Sequence, residues 1–196
     1  MSRNTAHKQR TRRRILDEAA KAMREHGHEG ISVANLMKNA GLTHGGFYAH
    51  FKDRDDLVAE AISRMFEDSK AMVASHLRDN QPREVLAALI DDYLSDDHRR
   101  RVGTGCPIAA LGSEAARLPA AARVRFEEGL STFRRSLRDA IAGRGIGNPD
   151  AVASFALSEM TGALAVARAM SNDTEASELL DDVRDQLKRR LGLILD

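Results

Sequence analysis

The 196-residue chain is predicted to be all-α, with about nine helices. Three observations predict it. Apolar residues recur at spacings of three and four along nearly the whole length, and no convincing run alternates with the period of two expected of a half-buried strand. Breakers such as Gly27, Asn80-Gln81-Pro82 and Gly143–Gly147 separate these periodic stretches. At 42% apolar and 30% charged residues, the composition supplies a core without approaching the profile of a disordered chain.

Each element follows from local signals. Ile15, Ala19, Ala22 and Met23 mark the inner face of a first helix closed by Gly27. Ser32 is a good N-cap for a second, short helix to about Asn39, and Ala40-Gly41-Leu42 leaves room only for a tight turn. Thr43 is placed to cap a third short helix through about His50. Asp53 or Asp55 opens a long helix carrying Leu57, Val58, Ala61, Ile62, Met65, Phe66, Met72, Val73 and Leu77. After the Asn80–Pro82 break, with Pro82 suited to a first helical turn, Val85, Leu86, Leu89, Ile90, Tyr93 and Leu94 form a fifth helix. Ser95 to Thr104 reads as a polar loop, followed by a short helix from about Cys106-Pro107. Pro119 opens a long helix with Phe126, Leu130, Phe133, Leu137 and Ile141 on one stripe. Pro149 begins a helix of small apolar residues to about Met170, and the last helix, from about Thr174, carries Leu180, Val183, Leu187, Leu191 and Ile194.

Composition narrows the function classes. The longest stretches without Asp, Glu, Lys or Arg, Asn39–Phe51 and Val102–Ser113, fall short of the roughly 18–20 apolar residues of a membrane span. The basic N-terminus is followed by no apolar run, so no signal peptide is expected and the expected location is the cytoplasm. The single cysteine, Cys106, excludes an internal disulfide and a multi-cysteine metal centre. The seven histidines show no H-x-x-x-H or H-E-x-x-H spacing, and no metal or cofactor is expected. The net charge of +1 conceals an asymmetry, because residues 1–54 hold 11 Lys and Arg against 5 Asp and Glu. A basic first quarter on a mildly acidic remainder suits a chain that meets a polyanion at one end, although a solvated basic tail has the same charge.

Residues 32–50, two short helices about a tight glycine-containing turn, have the spacing of a helix–turn–helix. In that unit the first helix braces across the DNA backbone and the second lies in the major groove. Leu36, Leu42, Phe47 and Phe51 are its candidate core. The run from Arg12 through Ala20, then Gly27, Ser32–Met37 and Ala40–Leu57, resembles the N-terminal domain of the TetR family of bacterial transcriptional regulators. Its close, Gly41 with Tyr48, Phe51, Lys52 and Leu57, is among the most specific features of the resemblance. The chain departs from the family at His28, where an aromatic is common, at Met37, where a small alanine is common, and at the helix-weakening pair Gly45-Gly46.

The resemblance implies a helix–turn–helix DNA-binding domain over 1–54 and a ligand-binding and dimerisation domain over 55–196. Ser32, Thr43, Tyr48, His50 and Lys52 have the chemistry to hold phosphates, and Thr43 and His44 to reach base edges. Gly45, Gly46 and Ala49 allow close approach, while Arg10, Arg12, Arg13 and Arg14 form a candidate basic arm along the backbone or minor groove. An internal hydroxyl partner for Tyr48, or a merely solvated Arg13 and Arg14, are the plainer readings.

For the remainder the resemblance implies a layout and no particular ligand. Candidate effector-pocket residues are Met65, Phe66, Tyr93, Cys106, Phe126, Phe133, Met160 and Leu164, which suit a small hydrophobic or electrophilic effector; ordinary core packing is the commoner fate of each. Gly105-Cys106-Pro107 resembles a branch of the family with that tripeptide. Cys106, at a helix start after Arg99-Arg100-Arg101, is a candidate reactive thiol or a small buried residue. The last two helices form the candidate face for a homodimer, through Ala151, Ala153, Phe155, Ala156, Gly162, Ala163, Ala165, Ala167, Leu180, Val183, Leu187 and Leu191. The leading expectation is a homodimeric regulator on a palindromic duplex, released by an effector, and not an enzyme. A cysteine-dependent enzyme built on Cys106 is the alternative, with His98 the nearest base in sequence.

Overall fold

The computed structural model describes residues 3–79 and 84–194, with the side chains of residues 3, 4 and 79 outside the description. The described residues form nine α-helices and no strand: α1 Arg3–His26, α2 Val33–Asn39, α3 Arg54–Asp79, α4 Val85–Tyr93, α5 Asp96–Arg100, α6 Pro107–Leu111, α7 Ala120–Gly143, α8 Pro149–Ala169 and α9 Asp173–Arg190. Three 3-10 turns, His44–Ala49, Val102–Thr104 and Ala115–Arg117, join them. The expected break at Asn80–Pro82 lies outside the described residues.

Two elements differ from the sequence reading. Ser95–Thr104 is no loop, because Ser95 caps α5, accepting the His98 amide at 3.1 Å. Asp96 and Asp97 fill the first turn of that helix and three basic residues the last, which complements its dipole. The third helix is a 3-10 turn instead of an α-helix. Thr43 makes no side-chain cap; its carbonyl takes the Gly46 amide at 3.0 Å, and the two glycines lend the segment little intrinsic helicity.

The chain divides into two compact units. The first comprises Met1–Asp68 with Val102–Gly129, so the N-terminal helices share a core with α6 and the start of α7. Ile15, Ala19 and Met23 of α1, Met37 of α2, Phe47 and Phe51 around the 3-10 turn, and Leu57, Ile62 and Met65 of α3 are buried together. Met37 fits here because its Cε lies 3.5 Å from where a Cβ on Gly46 would project, so the larger residue of α2 packs over a glycine. Gly41, at φ +66°, closes α2 as a Schellman motif: Gly41 N–H donates to the Lys38 carbonyl at 2.9 Å and Leu42 N–H to Met37 at 2.8 Å. Arg24 occupies the apolar-face position four residues after buried Ala20, with 2% of its side chain exposed. It donates to the Met65 carbonyl at 3.2 Å, the Gly103 carbonyl at 3.3 Å and Asp68 at 3.0 Å, tying α1 to α3 and to the 102–104 turn. Burial lowers the pKa of that guanidinium, with Asp68 opposing the shift.

The second unit comprises Ser69–Arg101 with Leu130–Asp196. Here α8 buries Ala153, Ala156, Leu157, Met160, Ala163, Leu164 and Ala167, and α9 buries Ala176, Leu180 and Leu187. Lys188 locks α9 to α4 through Asp91 at 2.8 Å, and Arg99 ties α5 to Asp173 at 2.9 Å. Among the described residues α8 is long and apolar enough to cross a membrane by length and composition alone, a property that core helices share and that the spacing of its charges did not suggest. It carries Asp150, Glu159 and Arg168 along its length and buries one face inside the unit, as core helices do.

Candidate nucleic-acid interface

The candidate recognition element is built on two anchors. Phe47 and Phe51 are buried and stacked at 5.5 Å between centroids, and they fix the 3-10 turn to the first unit. Between them Tyr48 points outward, 69% exposed, with its ring edge-on to Phe47 at 5.3 Å. Thr43, His44, Gly45 and Ala49 are exposed and Gly46 and His50 half-buried, and no atom lies within 4 Å of a Cβ placed on Gly45.

The flanking elements supply capped backbone and charge. The Ser32 hydroxyl accepts the Asn35 amide at 3.4 Å, leaving its proton to donate outward. Lys52 follows the turn, exposed, and its own amide is held by Asp56 at 3.0 Å while Asp53 accepts the Asp56 amide at 2.8 Å. These reciprocal bonds fix the backbone bearing Lys52. Burial, then Lys8 and Arg12, lower the pKa of His50.

The four arginines of the expected arm lie on a helix, because α1 reaches back to Arg3. Arg13 and Arg14 are exposed; Arg14 donates to the Ala40 carbonyl, and the half-buried Arg12 to that of His50. A polar cleft of about 210 Å³ between α1 and α2, lined by Glu18, Lys21, Glu25, His26, Asn35 and Asn39 among others, escaped the sequence reading.

The candidate effector residues separate by unit. Met65, Phe66, Cys106 and Phe126 belong to the first, where Phe66 meets Phe126 edge-on at 5.6 Å. Tyr93, Phe133, Met160 and Leu164 belong to the second, where Tyr93 lies 6.2 Å from Phe133. Arg99, Arg100 and Arg101 are engaged in ion pairs with Asp96, Asp97 and Asp173 inside the second unit, so the positive run that the sequence associates with Cys106 is neutralised. His98, the base considered for a cysteine enzyme, holds the Tyr93 carbonyl through Nδ1 at 2.8 Å. Of the candidate dimer residues, Leu180, Leu187, Leu191 and Ala163 are buried within the protomer, Val183 is half-buried, and Phe155 remains 51% exposed beside the Arg190 guanidinium at 4.7 Å.

Comparison with known proteins agrees with this architecture. Residues 15–61 match the N-terminal domain of the bacterial regulatory proteins of the tetR family, and residues 82–183 match the tetracyclin repressor-like C-terminal domain. The transcriptional regulator AcrR of Shigella flexneri is 31% identical over 108 residues, 51% of this chain and 50% of its own length, so the match spans about half of that relative. The repressor DhaR of Mycobacterium sp. (strain GP1) is 23% identical over 78% of this chain and 80% of its own length. The crystal structure of a TetR transcriptional regulator from Chloroflexus aurantiacus superposes with a TM-score of 0.82 at 22% identity, covering 95% of this chain and 96% of that one. The chain belongs to the TetR family of bacterial regulatory proteins, with a helix–turn–helix domain at its N-terminus.

Proposed function

We propose that this chain is a cytoplasmic, homodimeric transcriptional repressor that binds a palindromic operator and is released by a small hydrophobic or electrophilic effector. Residues 1–54 would contact DNA, and residues 55–196 would carry the effector and dimer functions. The observation that carries the reading is the outward-facing turn His44–Ala49, anchored by two buried phenylalanines and flanked by capped backbone at Ser32 and Lys52. In this reading Tyr48, Ser32, Arg13, His50 and Lys52 hold phosphates, while Thr43 and His44 meet base edges over Gly45 and Gly46. The exposed line Phe155, Gly162 and Val166 on α8, spaced to one helix face, supports a two-fold contact between copies of that helix. The Gly105-Cys106-Pro107 run supports placing the chain in a branch with that tripeptide. DhaR is named a repressor, which supports the repressor assignment.

Selection from a random duplex library tests the reading. A palindrome should be enriched, and affinity should fall steeply with salt as counterions are released. Lys52→Ala should weaken all duplexes about equally, and His44→Ala should shift the preferred sequence. Enrichment of no palindrome would overturn the specific-repressor assignment.

A further inference from the structure

We infer that Arg12 and Arg14 are positioning residues that set the relative orientation of the two helices of the helix–turn–helix, and that neither is a phosphate ligand. The inference rests on the operator-binding reading and goes beyond it, because charge alone places both arginines on the DNA.

Each guanidinium meets the carboxyl end of one helix. Arg14 donates to the carbonyl of Ala40, the C-cap of α2, and lies 3.5 Å from where a Cβ on Gly41 would project. The Schellman bonds of Gly41 and Leu42 satisfy the Lys38 and Met37 carbonyls, and Arg14 takes the Ala40 carbonyl beyond them. Arg12 Nε donates to the carbonyl of His50, the C-cap of the 3-10 turn, at 3.5 Å, and the same guanidinium lies over the Phe51 ring at 4.9 Å. A cation at the negative end of a helix is favourable, and here one helix, α1, places such a cation at both members of the pair.

The charge of Arg12 is already matched. Glu60 of α3 lies 3.3 Å from its Nη2, so bringing Arg12 to a phosphate would break that pair, the ring contact and the cap together. The recognition turn also has particular need of an outside anchor. Gly45 and Gly46 leave a single 3-10 turn with weak internal preference, so its pitch depends on the buried phenylalanines and on what grips its last carbonyl. Arg13 and Arg14 are both exposed, but Arg14 is engaged at the Ala40 carbonyl, so Arg13 is the arginine of this trio suited to a phosphate.

The two roles differ in salt dependence. Losing a phosphate contact lowers the slope of log affinity against log salt by about one, whereas losing a brace lowers affinity at constant slope. For Arg12→Gln and Arg14→Gln, operator affinity should fall tenfold or more with the slope unchanged and with affinity for a scrambled duplex held within twofold. Lys52→Gln, as reference, should lower both affinities and the slope. Glu60→Gln separates the readings by sign: a brace predicts weaker operator binding, and a masked phosphate ligand predicts tighter binding with a steeper slope. Hydrogen exchange without DNA decides the positioning role independently of any operator. The His50 and Phe51 amides should exchange faster in Arg12→Gln, and the Gly41 and Leu42 amides faster in Arg14→Gln. A slope lowered by about one, or exchange unchanged from the parent chain, would overturn the inference; a parent chain that selects no operator would overturn the repressor reading alone.

Discussion

The Glu114 carboxylate accepts both the ring Nδ1–H of His28, at 2.8 Å, and the His28 backbone N–H, at 3.1 Å. One side chain thus closes the end of α1 against the segment leading to the Ala115–Arg117 turn, while Arg54 donates to the His28 carbonyl at 2.6 Å from the start of α3. His28, the residue that departs from the family's aromatic, is buried at this junction of three segments.

Burial pushes the Glu114 carboxyl up, and the bonds from His28 outweigh it, leaving the group below its ordinary value of 4.5. A depressed folded-state value stabilises the fold above the unfolded pKa, and that contribution is lost as pH falls through the folded value beneath 4.5. Glu114→Gln should therefore cost about 1 kcal/mol at pH 7, roughly 2–4 °C in Tm. The gap to the parent chain should narrow as pH falls beneath 4.5. Thermal melts across that range check it, and curves that stay parallel would refute the assignment.

Close packing of α3 on α7 makes a second expectation. A Cβ on Gly129 would fall 2.2 Å from Cδ2 of Phe66, so alanine forces that ring to move. Gly129→Ala should destabilise by about 1–3 kcal/mol despite the gain in helix propensity. Phe66→Leu in the same chain should recover part of the loss, giving a non-additive cycle. A more stable Gly129→Ala protein would show that no such contact exists.

The proposed dimer face yields a contrast between two substitutions. Leu187 is wholly buried in the protomer, so Leu187→Asp places an unpaired carboxylate in the core at a cost of several kcal/mol and should abolish folding. Phe155 is exposed, and Phe155→Asp should leave the helical circular dichroism intact while light scattering shows a monomer with weakened operator binding. A Phe155→Asp protein that remains dimeric would move the interface off this face of α8.

Local signals carried most of the fold. Ser32 announced its cap and Asp53 was one of two candidates for the next, because the chemistry of a cap lies within four residues of sequence, whereas Gly41 read only as part of a tight turn and Thr43 makes no side-chain cap. Ser95 followed by two aspartates and three basic residues was an equally good helix signal, hidden by high polarity and the absence of an apolar stripe in five residues. Arg24 was obscured for the opposite reason: it occupies an apolar-face position, and only the carbonyls of Met65 and Gly103 explain a cation there. The Glu114–His28 pair spans 86 residues and leaves no local mark. In the candidate recognition element the hydroxyl of Tyr48 was legible as a hydrogen-bonding group, but its exposure, the 3-10 form of the turn and the engagement of Arg12 and Arg14 depend on tertiary packing.

Cys106 yields the final expectation. It is 6% exposed at the start of α6, a five-residue helix, and belongs to the first unit. The arginine run that would activate it is ion-paired in the second unit, and Arg24, a cation that acts electrostatically with it, is bound to Asp68 and to the carbonyls of Met65 and Gly103. A thiol reacts as its thiolate and only where a reagent reaches it. Native protein should therefore alkylate slowly with a maleimide, at least tenfold slower than in denaturant, and Cys106→Ser should bind the operator like the parent chain. A native thiol that reacts quickly, with operator affinity falling in step and Cys106→Ser unaffected, would reverse this and make the effector an electrophile; slow reaction leaves a non-covalent hydrophobic effector.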